Sequence, residues 1–285
     1  MPELPEVETA RRRAESALRG KRIAAATLAP DPIVCAGLRP ARFAAALRGR
    51  RVLAVRRRGK HLWLELDRRP WPLIHFGMTG AFEIESDAAP RPRFWKVEIA
   101  AEDGTRVAMT DPRRLGRVRL QERPEEEHPL ASLGYDVLEG LPPARVLAGL
   151  LARRTGPVKA VLLDQSLFAG VGNWIADEAL YQAAIDPRRP ASSLVAPEVA
   201  RLRSRLHAIV RLAVEVGADD ARYPRTWLFH HRWGRTQGAR TARGEPIVHV
   251  TIGGRTTAVV PSRYPSKRRR SALRGVSRHA AGRLL

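Results

Sequence analysis

Cysteine is almost missing from this chain. Cys35 stands alone among 285 residues, so no intrachain disulfide and no cysteine-rich zinc site can form, and a reducing compartment is expected. Acidic residues are also scarce beside basic ones, 29 against 51, for a net charge of +22. A chain this basic expects a polyanion, nucleic acid first. Long apolar runs are absent too, and none approaches the ~20 residues that a membrane span needs. The first twenty residues carry Glu3, Glu6, Glu8 and Glu15 and lack the apolar stretch of a signal peptide. These absences predict a soluble intracellular protein of the cytoplasm or nucleoid, with no membrane association.

What is present divides the chain by periodicity. Val7, Ala10, Ala14, Ala17 and Leu18 recur at helical spacing, which predicts a helix over 3–18. From Arg22 to Gln121 the period becomes two: Leu62, Leu64 and Leu66 alternate with Trp63, Glu65 and Asp67, with similar runs at 73–77, 81–85, 94–100 and 105–110. That pattern predicts a mostly β domain, a sandwich. Helical spacing returns at 143–153, 157–165, 173–183 and 197–216, and Gly253-Gly254 joins two short runs, 247–252 and 256–260, into a hairpin. The expected fold class is α+β. Its domains are an N-terminal β-sandwich with a leading helix (1–121), a polar linker (122–133), a helical domain (134–236), a hairpin (237–263) and a basic disordered tail (264–285); residues 263–285 hold eight Lys and Arg and no acid.

Three places carry chemistry. Removal of Met1 would leave Pro2 as a secondary amine, and an α-amino group with pKa near ~8 is partly nucleophilic at neutral pH. Its attack on an aldehyde-level carbon gives an iminium, an electron sink for elimination, and Glu3 and Glu6 could supply acid and base. A proline just ahead of a helix with Glu in its first turn is equally what the helix dipole favours, and the position alone leaves both readings open. Lys60, after Arg56-Arg57-Arg58-Gly59 and before a Leu-rich strand, suits a phosphate clamp or a solvated strand end. Leu162 to Glu178 reads as helix, two-glycine turn and helix with Asn173 as N-cap, an arrangement whose backbone N–H groups can receive a phosphate.

Together, Pro2-Glu3-Leu4-Pro5-Glu6-Val7-Glu8-Thr9, Lys60 before Leu-Trp-Leu-Glu-Leu, His75-Phe-Gly-Met78-Thr-Gly80, Asp111-Pro-Arg113-Arg-Leu-Gly116 and the Leu162–Glu178 segment resemble formamidopyrimidine-DNA glycosylases, in order and at compatible distances over residues 2–261. The Gly59–Leu66 strand and Gly172–Glu178 are most similar to the plant and fungal-type branch. The resemblance implies that 134–236 carries a helix–two-turn–helix DNA-binding element. The family's Cys-x2-Cys-x16-Cys-x2-Cys finger falls here on Arg240, Arg243, Val260 and Arg263, so a zincless finger is implied, with no metal, no cofactor and activity that survives chelators. Ile247, Val250, Ile252 and Val259 are the candidates to pack its hairpin.

The resemblance further implies a bifunctional glycosylase and abasic lyase of base excision repair, a monomer acting on double-stranded DNA with oxidised bases or abasic sites. Pro2 would attack C1′, Glu3 would give the proton, Glu6 would order the helix, and Lys60 and Arg255 would stabilise the phosphates released by β,δ-elimination. Met78, Arg113 and Leu115 would fill the gap left by the flipped nucleotide, although most oxidised-guanine enzymes carry Phe where Leu115 stands. Asn173 and Lys159 would hold backbone phosphates, with Arg153 and Arg154 as further candidates, and His75 would assist. A short 217–236 segment points to formamidopyrimidines, hydantoins and abasic sites over 8-oxoguanine. An endonuclease VIII-like preference for oxidised pyrimidines, which usually goes with Gly where Leu4 stands, and a non-catalytic DNA-binding protein are the alternatives.

Overall fold

The computed structural model describes residues 2–35, 37–86, 88–233 and 238–264. Met1 and the tail from residue 265 onward therefore lie outside the described residues, as does Gln237 at the start of the expected finger. The chain forms two compact units, one of residues 1–142, 162–172 and 206–223, the other of 143–161, 173–205 and 224–285.

In the first unit, helix α1 (Leu4–Leu18) leads into β1 (Ile23–Leu28), α2 (Pro40–Leu47), β2 (Val52–Arg58), β3 (His61–Leu66), β4 (Trp71–His75), β5 (Ala81–Ser86), β6 (Trp95–Ala101), β7 (Thr105–Thr110) and β8 (Arg117–Gln121). The strands make two antiparallel four-stranded sheets, ordered β1-β6-β7-β5 and β2-β3-β4-β8. Both sheets and α1 share one core, in which Val7, Leu18, Leu62, Leu64, Leu66, Ile74, Ile99 and Met109 are buried. This is the sandwich that the period-two runs predict.

Three features depart from the sequence expectation. Helix α2 interrupts the β region, started by Pro40 in its first turn and anchored by Phe43 and Leu47, which the i,i+4 spacing puts on one buried face. Trp63 alternates out of the core of the sandwich yet is buried, because Leu73 and Leu130 cover it. The expected linker 122–133 thus supplies a core residue, and it ends in a short 3-10 turn at Leu130–Ser132. Finally, Tyr135–Asp136 (β9) and Phe168–Ala169 (β10) pair in parallel, a contact between segments over thirty residues apart that local pattern does not reveal.

The second unit contains α3 (Ala144–Ala152), the first residues of α4 (Val158–Leu163), α5 (Asn173–Ala183), the first half of α6 (Ala196–Glu215), and strands β11 (Val248–Ile252) and β12 (Arg255–Val259). The hairpin turns through Gly253 and Gly254, both at positive φ, which puts Ile252 opposite Arg255. Ile247, Ala258 and Val260 pack against Tyr181 and Leu228. Of the expected packing residues Ile247, Ile252 and Val259 are buried, while Val250 is only half-buried. No helix among the described residues is long and apolar enough to cross a membrane.

Candidate active site

The start of α1 is fixed by a reciprocal cap. The Glu3 carboxylate accepts the Glu6 backbone N–H while the Glu6 carboxylate accepts the Glu3 N–H at 2.9 Å. Pro2 is half-buried beside it, and Glu3 is only 1 % exposed. Burial, and then the charge of Glu3, push the Glu6 carboxyl up to about 7, so that it exchanges protons near neutrality. The two glutamates that suggest acid and base thus also build the helix terminus, and both readings of the sequence apply to the same atoms.

The 170–172 turn receives this helix start. Leu4 N–H donates to the Gly170 carbonyl at 3.2 Å, and the space a side chain at Gly170 would fill is taken by Leu4. A Cβ on Gly172 would lie 2.2 Å from Glu3 Cδ. The two glycines of the expected phosphate-binding turn thus make room for Leu4 and Glu3. Gly172→Ala is expected to displace Glu3 and slow base release by about 10²-fold, the cost of misplacing a reacting group by an ångström. Single-turnover kinetics on a lesion duplex checks this, and a rate within threefold of the parent's, on the order of 0.7 kcal/mol, would contradict it.

Lys60 reaches the same turn. Its Nζ donates to the Val171 carbonyl at 2.9 Å, an oxygen that also accepts Gln165 Nε2 at 2.8 Å. Gly59 makes this approach possible, since its φ is +57° and its missing Cβ would sit 3.2 Å from Ala169 Cβ. Asp136 then locks the strand end by accepting Gly59 N–H at 2.8 Å and the Arg57 guanidinium at 2.6 Å. Arg57 is buried and also binds Glu8 at 3.0 Å. Sequence reasoning missed Arg57, Asp136 and Gln165 as positioning residues. Alternation along β2 was the available signal for Arg57, because it turns this arginine inward while Arg56 stays exposed.

His75 faces His61 across β3 and β4, with ring centres 4.6 Å apart. Burial, with Lys60 and Arg119 nearby, lowers His75 to about 4, and burial and His75 lower His61 to about 3. His75 Nδ1 accepts the Gly77 N–H at 3.1 Å, so the ring is neutral with its proton on Nε2. The expectation that it helps to hold DNA is thus limited to a neutral hydrogen bond.

The expected gap-filling residues sit on two interlocked loops. Asp111, fully buried, accepts Thr79 Oγ1 at 2.8 Å and Gly116 N–H at 2.7 Å. A Cβ on Gly77 would lie 2.4 Å from the Leu115 backbone. Arg114, at φ +56°, forms a two-pronged pair with Asp31 at 2.9 and 3.1 Å. This frame leaves Arg113 exposed, Leu115 42 % exposed and Met78 half-buried. An exposed leucine beside an exposed arginine on a rigid loop is the shape of a wedge.

In the second unit α5 begins at Asn173, whose Nδ2 donates to the Thr256 carbonyl at 2.9 Å, next to the exposed Arg255. Arg153 and Arg154 are exposed at the end of α3. Lys159 requires a correction. It is fully buried, paired with Asp177 and donating to the Asn173 carbonyl at 3.1 Å, so it cannot reach a backbone phosphate. At the four positions of the family's finger cysteines, Val260 is buried, Arg263 lies over the Tyr181 ring at 4.9 Å, and Arg240 donates to the Gly244 carbonyl. A zinc ion does not fit these side chains, and the described residues hold no cluster of His, Cys, Asp or Glu able to bind a metal.

The formamidopyrimidine-DNA glycosylase N-terminal domain matches residues 1–118, and the H2TH domain of the same enzymes matches 133–224. A formamidopyrimidine-DNA glycosylase of Arabidopsis thaliana is 40% identical over 276 residues, which cover 92% of this chain and 70% of that protein. One from Paracoccus denitrificans is 43% identical over 235 residues, 78% of this chain and 81% of its own. Among solved structures, a MutM in complex with DNA containing carbocyclic 8-oxo-G has a TM-score of 0.80 at 25% identity, covering 93% of this chain and all of that one. The Lactococcus lactis Fpg in complex with abasic-site DNA shares the fold at TM-score 0.81 and 24% identity, with the same coverage. On these two domain matches and these relatives, the chain belongs to the formamidopyrimidine-DNA glycosylase family.

Proposed function

We propose that this DNA glycosylase removes oxidised bases and then cleaves the resulting abasic site through Pro2. The observation that carries the reading is the convergence of the buried Glu3 carboxylate and the Lys60 ammonium on the 170–172 turn, with Glu3 next to Pro2 in the chain. With Met1 removed, the Pro2 lone pair forms a bond to C1′ as the glycosidic bond breaks. Glu3 donates a proton to the sugar ring oxygen or to the departing base. The nitrogen then loses its proton as the C1′–O4′ bond opens, leaving O4′ as a hydroxyl and C1′ as an iminium, which acidifies C2′. Loss of that proton expels the 3′ phosphate, and a second elimination expels the 5′ phosphate. Lys60 balances the growing phosphate charge, as does Arg255 from its hairpin. Met78, Arg113 and Leu115 occupy the space of the extruded nucleotide, and Asn173 holds backbone phosphate. The relatives' complexes with lesion-containing and abasic DNA support a duplex as the partner.

The segment after α6 supports a preference among lesions. Residues 217–233 form two short 3-10 turns, Asp220–Arg222 and Leu228–His230, with Tyr223, Trp227 and Phe229 buried in place of a long open loop. Formamidopyrimidine is therefore expected to be released faster than 8-oxoguanine in single-turnover comparison on matched duplexes, and equal rates would contradict that preference. A second reading, the choice of oxidised pyrimidines, has less support because Leu4 fills the Gly170 cavity.

A further inference from the structure

A two-stranded hairpin does not hold itself together in water, and among the described residues the one that carries Arg255 has no site for the metal that would fix it. Its fixture is a buried carboxylate. Asp177, on α5 and 2 % exposed, faces Lys159 with Oδ1 and Arg232 with Oδ2, the latter at 2.7 Å to Nη2 and 3.1 Å to Nε. The same Oδ2 accepts the backbone N–H of Ala258 on β12 at 3.2 Å. Around this centre the other contacts converge. Asn173 holds the Thr256 carbonyl at 2.9 Å, and the Arg232 carbonyl meets His249 Nε2 on β11 at 3.0 Å. At the turn, Gly253 lies so close to α4 that a Cβ would stand 2.9 Å from that of Ala160.

We propose that Asp177 takes over the metal's task and is the positioning residue for Arg255. Both cations are buried, so one carboxylate between them is the least that keeps the cluster from opening to water, and the oxygen that binds Arg232 also accepts the hairpin backbone. Both strands are thereby tied to one acidic atom pair, Ala258 directly and His249 through Arg232. Arg255, three residues before Ala258 on the same strand, inherits that fixed position. The arrangement also explains why Lys159 is buried: its charge serves Asp177. The inference rests on the role proposed above for Arg255, and the experiment separates the two.

Asp177→Asn, Arg255→Ala and the double variant are compared in the full-length protein on an abasic duplex. Readouts are the ratio of second to first elimination product, borohydride trapping at Pro2, and amide hydrogen exchange of residues 255–259. Asp177→Asn is expected to lower the product ratio about tenfold, with trapping retained and hairpin exchange accelerated. In the Arg255→Ala background it should change the ratio no further, whereas a merely structural loss would lower all yields alike and leave the ratio intact. Independent losses that multiply, or hairpin exchange unchanged in Asp177→Asn, would overturn the proposal. Should Asp177→Asn not fold, His249→Phe loosens the same cluster from β11 and must move the ratio and the exchange in the same direction. An unchanged ratio in Arg255→Ala would refute the role of Arg255 alone, and the exchange data would still decide whether Asp177 is the anchor.

Discussion

Glu3→Gln is expected to slow release of a damaged base by about 10³-fold, within the range for losing a positioned general acid, while cleavage of a preformed abasic site falls far less. The substitution isolates the proton. Glutamine keeps the side-chain oxygen that accepts the Glu6 N–H, so the cap of α1 survives, and its similar size still fits against Gly172. What disappears is the acidic hydrogen for the sugar or the base. The lyase steps begin from an open-chain aldehyde and need no base protonation, so they continue. Single-turnover assays on the two duplexes read the difference directly. Equal losses on both would show that Glu3 only builds the helix terminus.

Lys60→Ala is expected to reduce both base release and strand cleavage by roughly 10²- to 10³-fold, the loss seen when a preorganised charge is removed from a developing anion. Its ammonium is placed by three constraints that the substitution leaves alone: the positive φ of Gly59, the close approach to Ala169, and the Arg57–Asp136 pair beneath. Lys60→Arg should not rescue activity, because a planar guanidinium cannot take the place of a compact ammonium at the Val171 carbonyl. Recovery by arginine to within about tenfold, 1.4 kcal/mol, would mean that charge alone matters there.

Much of this was legible in the sequence where the signal is local. The α1 stripe, the Leu62-Leu64-Leu66 alternation and the Gly253-Gly254 turn each follow from periodicity or backbone freedom within a few residues, and the structure has them within two residues of the expected bounds. The reading failed where a distant partner decides a residue's fate. The family resemblance implies a phosphate-binding role for Lys159, and only Asp177, on the next helix, makes it a buried structural cation. Trp63 reads as an outward side chain until Leu130 covers it. Arg57 is lost in a run of three arginines, and its burial depends on Asp136, 79 residues on. The two-glycine turn is legible as a turn, but not that Leu4 and Glu3 take up the space beside Gly170 and Gly172.

A secondary amine that attacks C1′ leaves an iminium, and borohydride reduces it to a permanent bond between Pro2 and the DNA. Protein with Met1 removed, incubated with an abasic-site duplex and borohydride, is expected to form a covalent complex whose DNA is attached at Pro2. Protein that retains Met1 has an amide at that nitrogen and is expected to form none. Absence of a complex with the processed protein, or equal trapping by the two forms, would rule out the Pro2 nitrogen as the nucleophile.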